Sequence, residues 1–206
     1  MMRLAAKLRR LPEFLRALVR RGLRGIFGLD VSLPTEDRRL LEQVVLPYFA
    51  SDPAFSRVLF VGCDWYTSHY EKLFAGREYW TLEKDKHRRK HGAERHVTDA
   101  LVNLSAHFGE RHFDLIVVNG VLGWGLDDRE EAERSLLACA AALREGGVLV
   151  LGWNDVAEKR PLVPEEARSL QRLRPWPFPP LASARHQTAT ANRHTFSFFV
   201  RPAAAS

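Results

Sequence analysis

The sequence predicts an α/β protein built on a doubly wound, mostly parallel sheet, and three observations carry that expectation. Short apolar runs alternate with helical stretches over residues 34–201. The first run, Val58 to Val61, ends at Gly62 and feeds a helical pattern. The last two runs stand too close together for a helical crossover. Continuous apolar strands separated by helices belong to a sheet covered on both faces. Two strands a few residues apart form an antiparallel hairpin instead.

The chain opens with a basic arm. Leu4, Leu8, Leu11, Leu15 and Leu18 recur at spacings of four and three, which lines them along one helical face. Pro12 divides the pattern into a helix before Leu11 and a second from Pro12 to about Arg24, closing near Gly25 or Gly28. Residues 1–28 are therefore expected to form an amphipathic helical arm, and residues 29–206 a separate domain. Pro34-Thr-Glu-Asp opens the domain's first helix, with Leu40, Leu41, Val44 and Val45 as its apolar side and Pro47 near its end. The spacing then predicts a helix over Thr67–Phe74 and strands over Glu78–Glu83, Arg95–Val97, Phe113–Asn119 and Gly147–Gly152. A long helix over Asp128–Leu143 is expected to close on the glycine stop Arg144-Glu-Gly-Gly147. After a proline-rich stretch with a short helix over Glu165–Leu173, the two final strands are Ala182–Ala189 and His194–Val200.

Charge maps onto the arm. Residues 1–25 hold eight Arg or Lys against Glu13, a net of +7. Removing them from 31 bases and 25 acids leaves 23 and 24, so the domain is about neutral. The arm fits a cap helix on the domain, a contact with an anionic membrane or a protein partner, a transit peptide or an RNA contact. No apolar run approaches the roughly 18 residues of a membrane span. Cys63 and Cys139 match no metal spacing and no disulfide framework, so a reducing, cytoplasmic compartment is expected, with no metal site.

Five stretches, in order, are similar to the class I S-adenosylmethionine-dependent methyltransferases, over residues 34–201. They are Phe60-Val-Gly-Cys-Asp64, Leu82-Glu83, Val97-Thr-Asp99, Phe113-Asp-Leu-Ile-Val-Val-Asn119 and Leu143-Arg-Glu-Gly-Gly-Val-Leu-Val-Leu-Gly152. The resemblance implies a Rossmann-like doubly wound sheet of order 3-2-1-4-5-7-6 with an antiparallel C-terminal strand, and S-adenosylmethionine as cofactor. It places Gly62 and Cys63 beside the methionine part of the cofactor, Glu83 at the ribose, Thr98 and Asp99 at the adenine, and Asn119 and Gly120 facing the sulfonium and substrate. Taken alone, Glu83 also reads as a solvated acid and Asp99 as a helix cap. The first loop departs from the family pattern, with Phe60, Asp64 and Tyr66 where an acid and two glycines usually stand. Asp64 is expected to supply the displaced carboxylate, or else to cap a helix. Trp65 or Tyr66 is expected to cover the sulfonium by a cation–π contact, Trp65 being otherwise core.

Methyl transfer needs alignment and, for some acceptors, a base. Asp155 and His194 are the candidates at the sheet's carboxyl edge. Both also have structural readings, Asp155 as a loop cap and His194 as a strand residue. Asn119-Gly-Val-Leu-Gly-Trp124 replaces the Asn/Asp-Pro-Pro-Tyr/Phe signature of base or amide methylation, which points away from nucleic acid, and the aromatic residues Trp124 and Trp153 at this edge suit a small, partly apolar acceptor. The alternatives are an inactive methyltransferase-like module acting through its arm, and a nicotinamide-dependent enzyme. The missing loop glycines and the terminal hairpin weigh against the latter.

Overall fold

The computed structural model describes residues 35–203. The predicted arm over residues 1–28 lies outside them. Eight strands form one sheet: β1 (Arg57–Val61), β2 (Glu78–Leu82), β3 (Arg95–Val97), β4 (Phe113–Asn119), β5 (Leu143–Asn154), β6 (Arg174–Pro175), β7 (Arg185–Gln187) and β8 (His194–Val200). Their order is β3-β2-β1-β4-β5-β8-β6, with β7 also paired to β8. The five strands from β3 to β5 are parallel, while β8 runs antiparallel to β5 and to both short outer strands. This is the expected order, with β8 in the seventh place and the outer position shared between β7 and the two-residue β6.

The pleat sends alternate side chains to opposite faces, and each face has its own apolar layer. Leu59, Val61, Ile116, Val118, Leu149 and Leu151 belong to one. Val58, Phe60, Leu115, Val117, Val150 and Phe198 belong to the other. The first face is covered by helix α3 (Arg129–Ala142), through Ala132, Leu136 and Cys139, together with residues around α2 (Leu104–His107). The second is covered by α1, residues 36–51, through Leu41, Val45, Leu46 and Phe49. Helix α1 widens to a π-helical turn at Leu41–Val45, just ahead of Pro47, which has no N–H to continue the ladder.

Four expectations change. The helix expected over Thr67–Phe74 is a turn followed by a 3₁₀ helix at Tyr70–Phe74. The Thr67 hydroxyl accepts from the Asp64 N–H at 3.0 Å and donates to the Asp64 carbonyl at 2.9 Å, a local turn that competes with helix. The helix over Glu165–Leu173 is two 3₁₀ turns, because the Glu133 carboxylate accepts from the N–H groups of Arg168 and Ser169 at 3.2 and 2.9 Å. The strand over Ala182–Ala189 shortens to β7, since Ala182 is left-handed at φ 48°.

The glycine stop is replaced by an arginine from the far end of the chain. Helix α3 ends at Ala142, and Leu143 is already extended. Its last carbonyls accept from Arg201 Nη1, which reaches Ala140 O, Ala141 O and Leu143 O at 3.0, 3.1 and 2.9 Å. A cation at a helix C-terminus satisfies orphan acceptors and opposes the macrodipole. Arg201→Ala is expected to cost about 2–3 kcal/mol in urea unfolding, the worth of charge-assisted bonds to carbonyls. Arg201→Lys recovers part of it; a change under about 0.5 kcal/mol for alanine would refute the cap.

Candidate functional site

The strand order reverses at β1, between β2 and β4, and a crevice opens there beyond the carboxyl ends of the parallel strands. A cavity of about 240 Å³ occupies it. Its floor is formed by residues at the ends of β1 and β4, namely Gly62, Cys63, Asn119 and Gly120. Glu83 and Asp99 approach from the β2 and β3 side, and Trp124, Gly125 and Leu126 from the loop after β4.

Gly62 has φ +93°, and a Cβ there would meet Val121 Cγ2 at 2.7 Å and Asn119 O at 3.1 Å. Only glycine fits, so β1 passes directly under the loop that follows β4. Gly120 differs: its φ is +67°, but a Cβ would enter open space.

Glu83 is 9% exposed, not a solvated acid. Its two carboxylate oxygens accept from the Cys63 N–H at 3.0 Å and the Asp85 N–H at 2.9 Å, tying the end of β2 to the loop after β1. Asp99 accepts from the Ala100 N–H at 2.7 Å, from Asn103 Nδ2 at 2.8 Å and, through its other oxygen, from His107 Nε2 at 2.7 Å. It therefore braces the turn after β3 while also lining the cavity. The bond from His107, then those from Asn103 and Ala100, lower its pKa to about 2, so it stays ionised. Burial pushes the Cys63 thiol up to about 12, which keeps it protonated.

Most of the remaining expected residues fall elsewhere. Thr98 is exposed and does not line the cavity. The Asp64 carboxylate accepts from the Trp65 N–H at 2.7 Å and pairs with Arg88 at 3.5 Å, outside the cavity lining. Tyr66 does line it, but the Arg38 guanidinium sits 4.3 Å from its ring centroid, so a resident cation already covers one face.

Asp155 also lies outside the lining and is 6% exposed. It is held by Arg160, by Arg185 at 2.9 Å, by Arg193 at 3.6 Å and by Gln187 Nε2 at 3.1 Å. Burial raises its pKa, but the Arg160 bond and the three guanidinium charges outweigh that and leave it lowered. A carboxylate so engaged is a weak proton acceptor. Of these four partners, Arg185, Gln187 and Arg193 tie the end of β5 to β7 and to the start of β8.

His194 lies beneath the cavity floor rather than in its wall. Nδ1 stands 2.9 Å from Asn154 Oδ1, and Nε2 stands 3.3 Å from Asn119 Oδ1. A neutral ring carries one proton, so it donates across the shorter contact to Asn154, and an Asn119 amide turned to donate satisfies Nε2. Gly152 makes the arrangement possible, since a Cβ there would meet Asn119 Oδ1 at 1.9 Å. His194 thus links Asn154 to the Asn119 of the cavity lining.

Burial lowers the His194 pKa from 6.5 to about 4. Its contribution is present above pH 6.5 and is lost as pH falls toward about 4, because the unfolded chain takes up the proton first. Wild type is expected to lose up to about 1.4 kcal/mol per pH unit more than His194→Gln across that window. Parallel curves in urea unfolding at stepped pH would exclude a buried neutral ring.

Sequence reasoning missed the rim. Lys84 donates from Nζ to the Gly125 carbonyl across the mouth, and Asp85, Arg88 and Glu131 join the lining. Four acidic residues (Glu83, Asp85, Asp99, Glu131) thus line the cavity against two basic ones, Lys84 and Arg88. These residues stand in charged runs whose spacing resembles any solvated surface. Among the described residues no His, Cys, Asp or Glu group is arranged to hold a metal ion, and no helix is long and apolar enough to cross a membrane.

No protein-family model matches the chain, and no curated protein does. Solved structures do. The N-methyltransferase NodS from Bradyrhizobium japonicum WM9 superposes with a TM-score of 0.60 at 19% identity, covering 83% of this chain and 100% of that one. NodS in complex with S-adenosyl-L-homocysteine gives 0.58 at 19% identity, over 84% and 95%. The magnesium protoporphyrin IX methyltransferase ChlM from Synechocystis PCC 6803, with bound SAM, gives 0.59 at 13% identity, over 80% of each chain. The chain has the fold of the class I S-adenosylmethionine-dependent methyltransferases.

Proposed function

We propose that the chain transfers a methyl group from S-adenosylmethionine to a small-molecule acceptor. The observation that carries the reading is the cavity's lining: four acidic residues against two basic ones, at the switch point of the sheet. An acidic crevice suits a cationic sulfonium compound and repels the pyrophosphate of a dinucleotide. When bound, S-adenosylmethionine supplies a methyl carbon activated by positive sulfur.

The chain's own residues supply placement. Glu83 keeps lone pairs on both oxygens beyond its two backbone bonds and would accept from ribose hydroxyls. Asp99, held ionised, would accept from the adenine amino group. Gly62 and Gly120 let the main chain approach the methionine portion, and Asn119, anchored through His194, would orient groups near the sulfonium. Asp64, tied to Trp65 and Arg88, would act by fixing the loop after β1. Val121, Leu126 and the half-exposed Trp124 form an apolar wall, which supports a small, partly apolar acceptor.

Calorimetry of the full chain with S-adenosylmethionine and, separately, S-adenosylhomocysteine tests the reading. Micromolar binding of both is expected. Absence of heat with either at about 1 mM ligand would overturn it, because the best affinity left would be worth only about 4 kcal/mol.

A further inference from the structure

Asp155 is the hub of a cluster that the cofactor cavity does not use. Arg160, Arg185 and Arg193 converge on this one buried carboxylate, and Gln187 adds a fourth donor. The three guanidinium-bearing side chains remain 37%, 41% and 59% exposed, so each keeps N–H donors turned to solvent. Arg185 also lies over the Trp153 ring at 5.2 Å and pairs with Glu165 at 3.7 Å, which fixes it further. Lys159, on the same turn as Arg160, stands 4.1 Å from the centroid of Trp124, at the rim of the cavity. Three guanidinium groups thus meet two carboxylates, Asp155 and Glu165, an excess of one positive charge, and the neighbouring Lys159 and exposed Glu158 cancel each other.

A network built only to close the sheet edge needs one partner for Asp155. Three held arginines with outward donors form a preorganised anion site, since the buried acid has already fixed them. The cluster adjoins the cofactor cavity: Asp155 follows Asn154, whose side chain meets His194, and His194 meets the Asn119 of the cavity floor. The acidic crevice and the basic cluster lie side by side. We propose that Arg160, Arg185 and Arg193 bind an anionic group, phosphate or carboxylate, of the methyl acceptor, so that the substrate class is a small organic acid or phosphate ester. The substrate assignment rests on the methyl-transfer reading; the anion site itself does not.

The test is a titration of the ¹⁵N-labelled full chain with inorganic phosphate and, separately, with sodium acetate at matched ionic strength. Arginine Nε–H resonances are followed, assigned through Arg160→Gln, Arg185→Gln and Arg193→Gln. Saturating shifts are expected at the three arginines with one or both anions, while Arg174, at the other end of β8, and the arginines of residues 1–25 drift without saturating. Saturation with phosphate alone assigns a phosphate ester; saturation with acetate assigns a carboxylate. Arg193→Gln, the most exposed of the three, is expected to weaken the anion at least fivefold and to leave S-adenosylhomocysteine affinity within twofold. Shifts at the cluster no larger than at Arg174, or unsaturated with both anions, would overturn the site. A chain that binds phosphate here but no S-adenosylhomocysteine would sink the methyl-transfer reading and leave the anion site standing.

Discussion

Glu83→Ala is expected to lower S-adenosylmethionine affinity by roughly 100-fold or more. Two charge-assisted bonds to ribose, at about 1.5–3 kcal/mol each, set that scale. The substitution also removes the acceptor for the Cys63 and Asp85 N–H groups, so the ends of β1 and β2 lose their common tie. Glu83→Gln separates the two effects in part. Its volume is unchanged, but its amide nitrogen must face one of those N–H donors, so it keeps one backbone bond and loses the charge. Calorimetry on both variants, well below their unfolding temperatures, decides the matter. Affinities within threefold of wild type would remove the cofactor from the end of β2.

Gly62→Ala and Gly120→Ala are expected to fail in opposite ways. At Gly62, alanine meets a positive φ, which costs about 1–2 kcal/mol, and a Cβ contact of 2.7 Å that must displace Val121. The sum is a destabilisation of about 3 kcal/mol, read in urea. At Gly120 the backbone strain is similar but the Cβ meets nothing, so the fold is expected to lose only about 1 kcal/mol. That methyl group projects from the cavity lining, and a fall of at least tenfold in S-adenosylhomocysteine affinity is expected. Unchanged affinity in Gly120→Ala would mean that no ligand approaches this stretch of main chain.

The strands were legible because their signal is local. β3, β4 and β8 run over the residues expected for them, and β4, buried at all seven positions, carries the mostly apolar run that a strand covered on both faces needs. Asp128 likewise announced the start of α3, and its side chain accepts from the Glu131 N–H at 2.8 Å. What escaped depends on partners far along the chain. No window around residues 143–147 contains Arg201, and no window around residues 164–170 contains Glu133. The floor and the two principal acids of the cavity, Gly62, Glu83, Asp99, Asn119 and Gly120, were readable as strand ends. Asp155 and His194 were correctly put at the carboxyl edge, but their partners, three arginines and two asparagines, decide what they do there.

The antiparallel β8 has a consequence for synthesis on the ribosome. Until residue 200 has left the exit tunnel, the outer edge of β5 carries a row of unpaired N–H and C=O groups flanked by apolar side chains. Strand β8 then pairs with β5 over seven residues and receives β6 and β7 on its own far side. Arg201, the next residue to emerge, closes α3. The nascent chain therefore holds its most adhesive edge open until nearly all of the described fold has been made, the stage at which a chaperone or neighbouring chain competes for it.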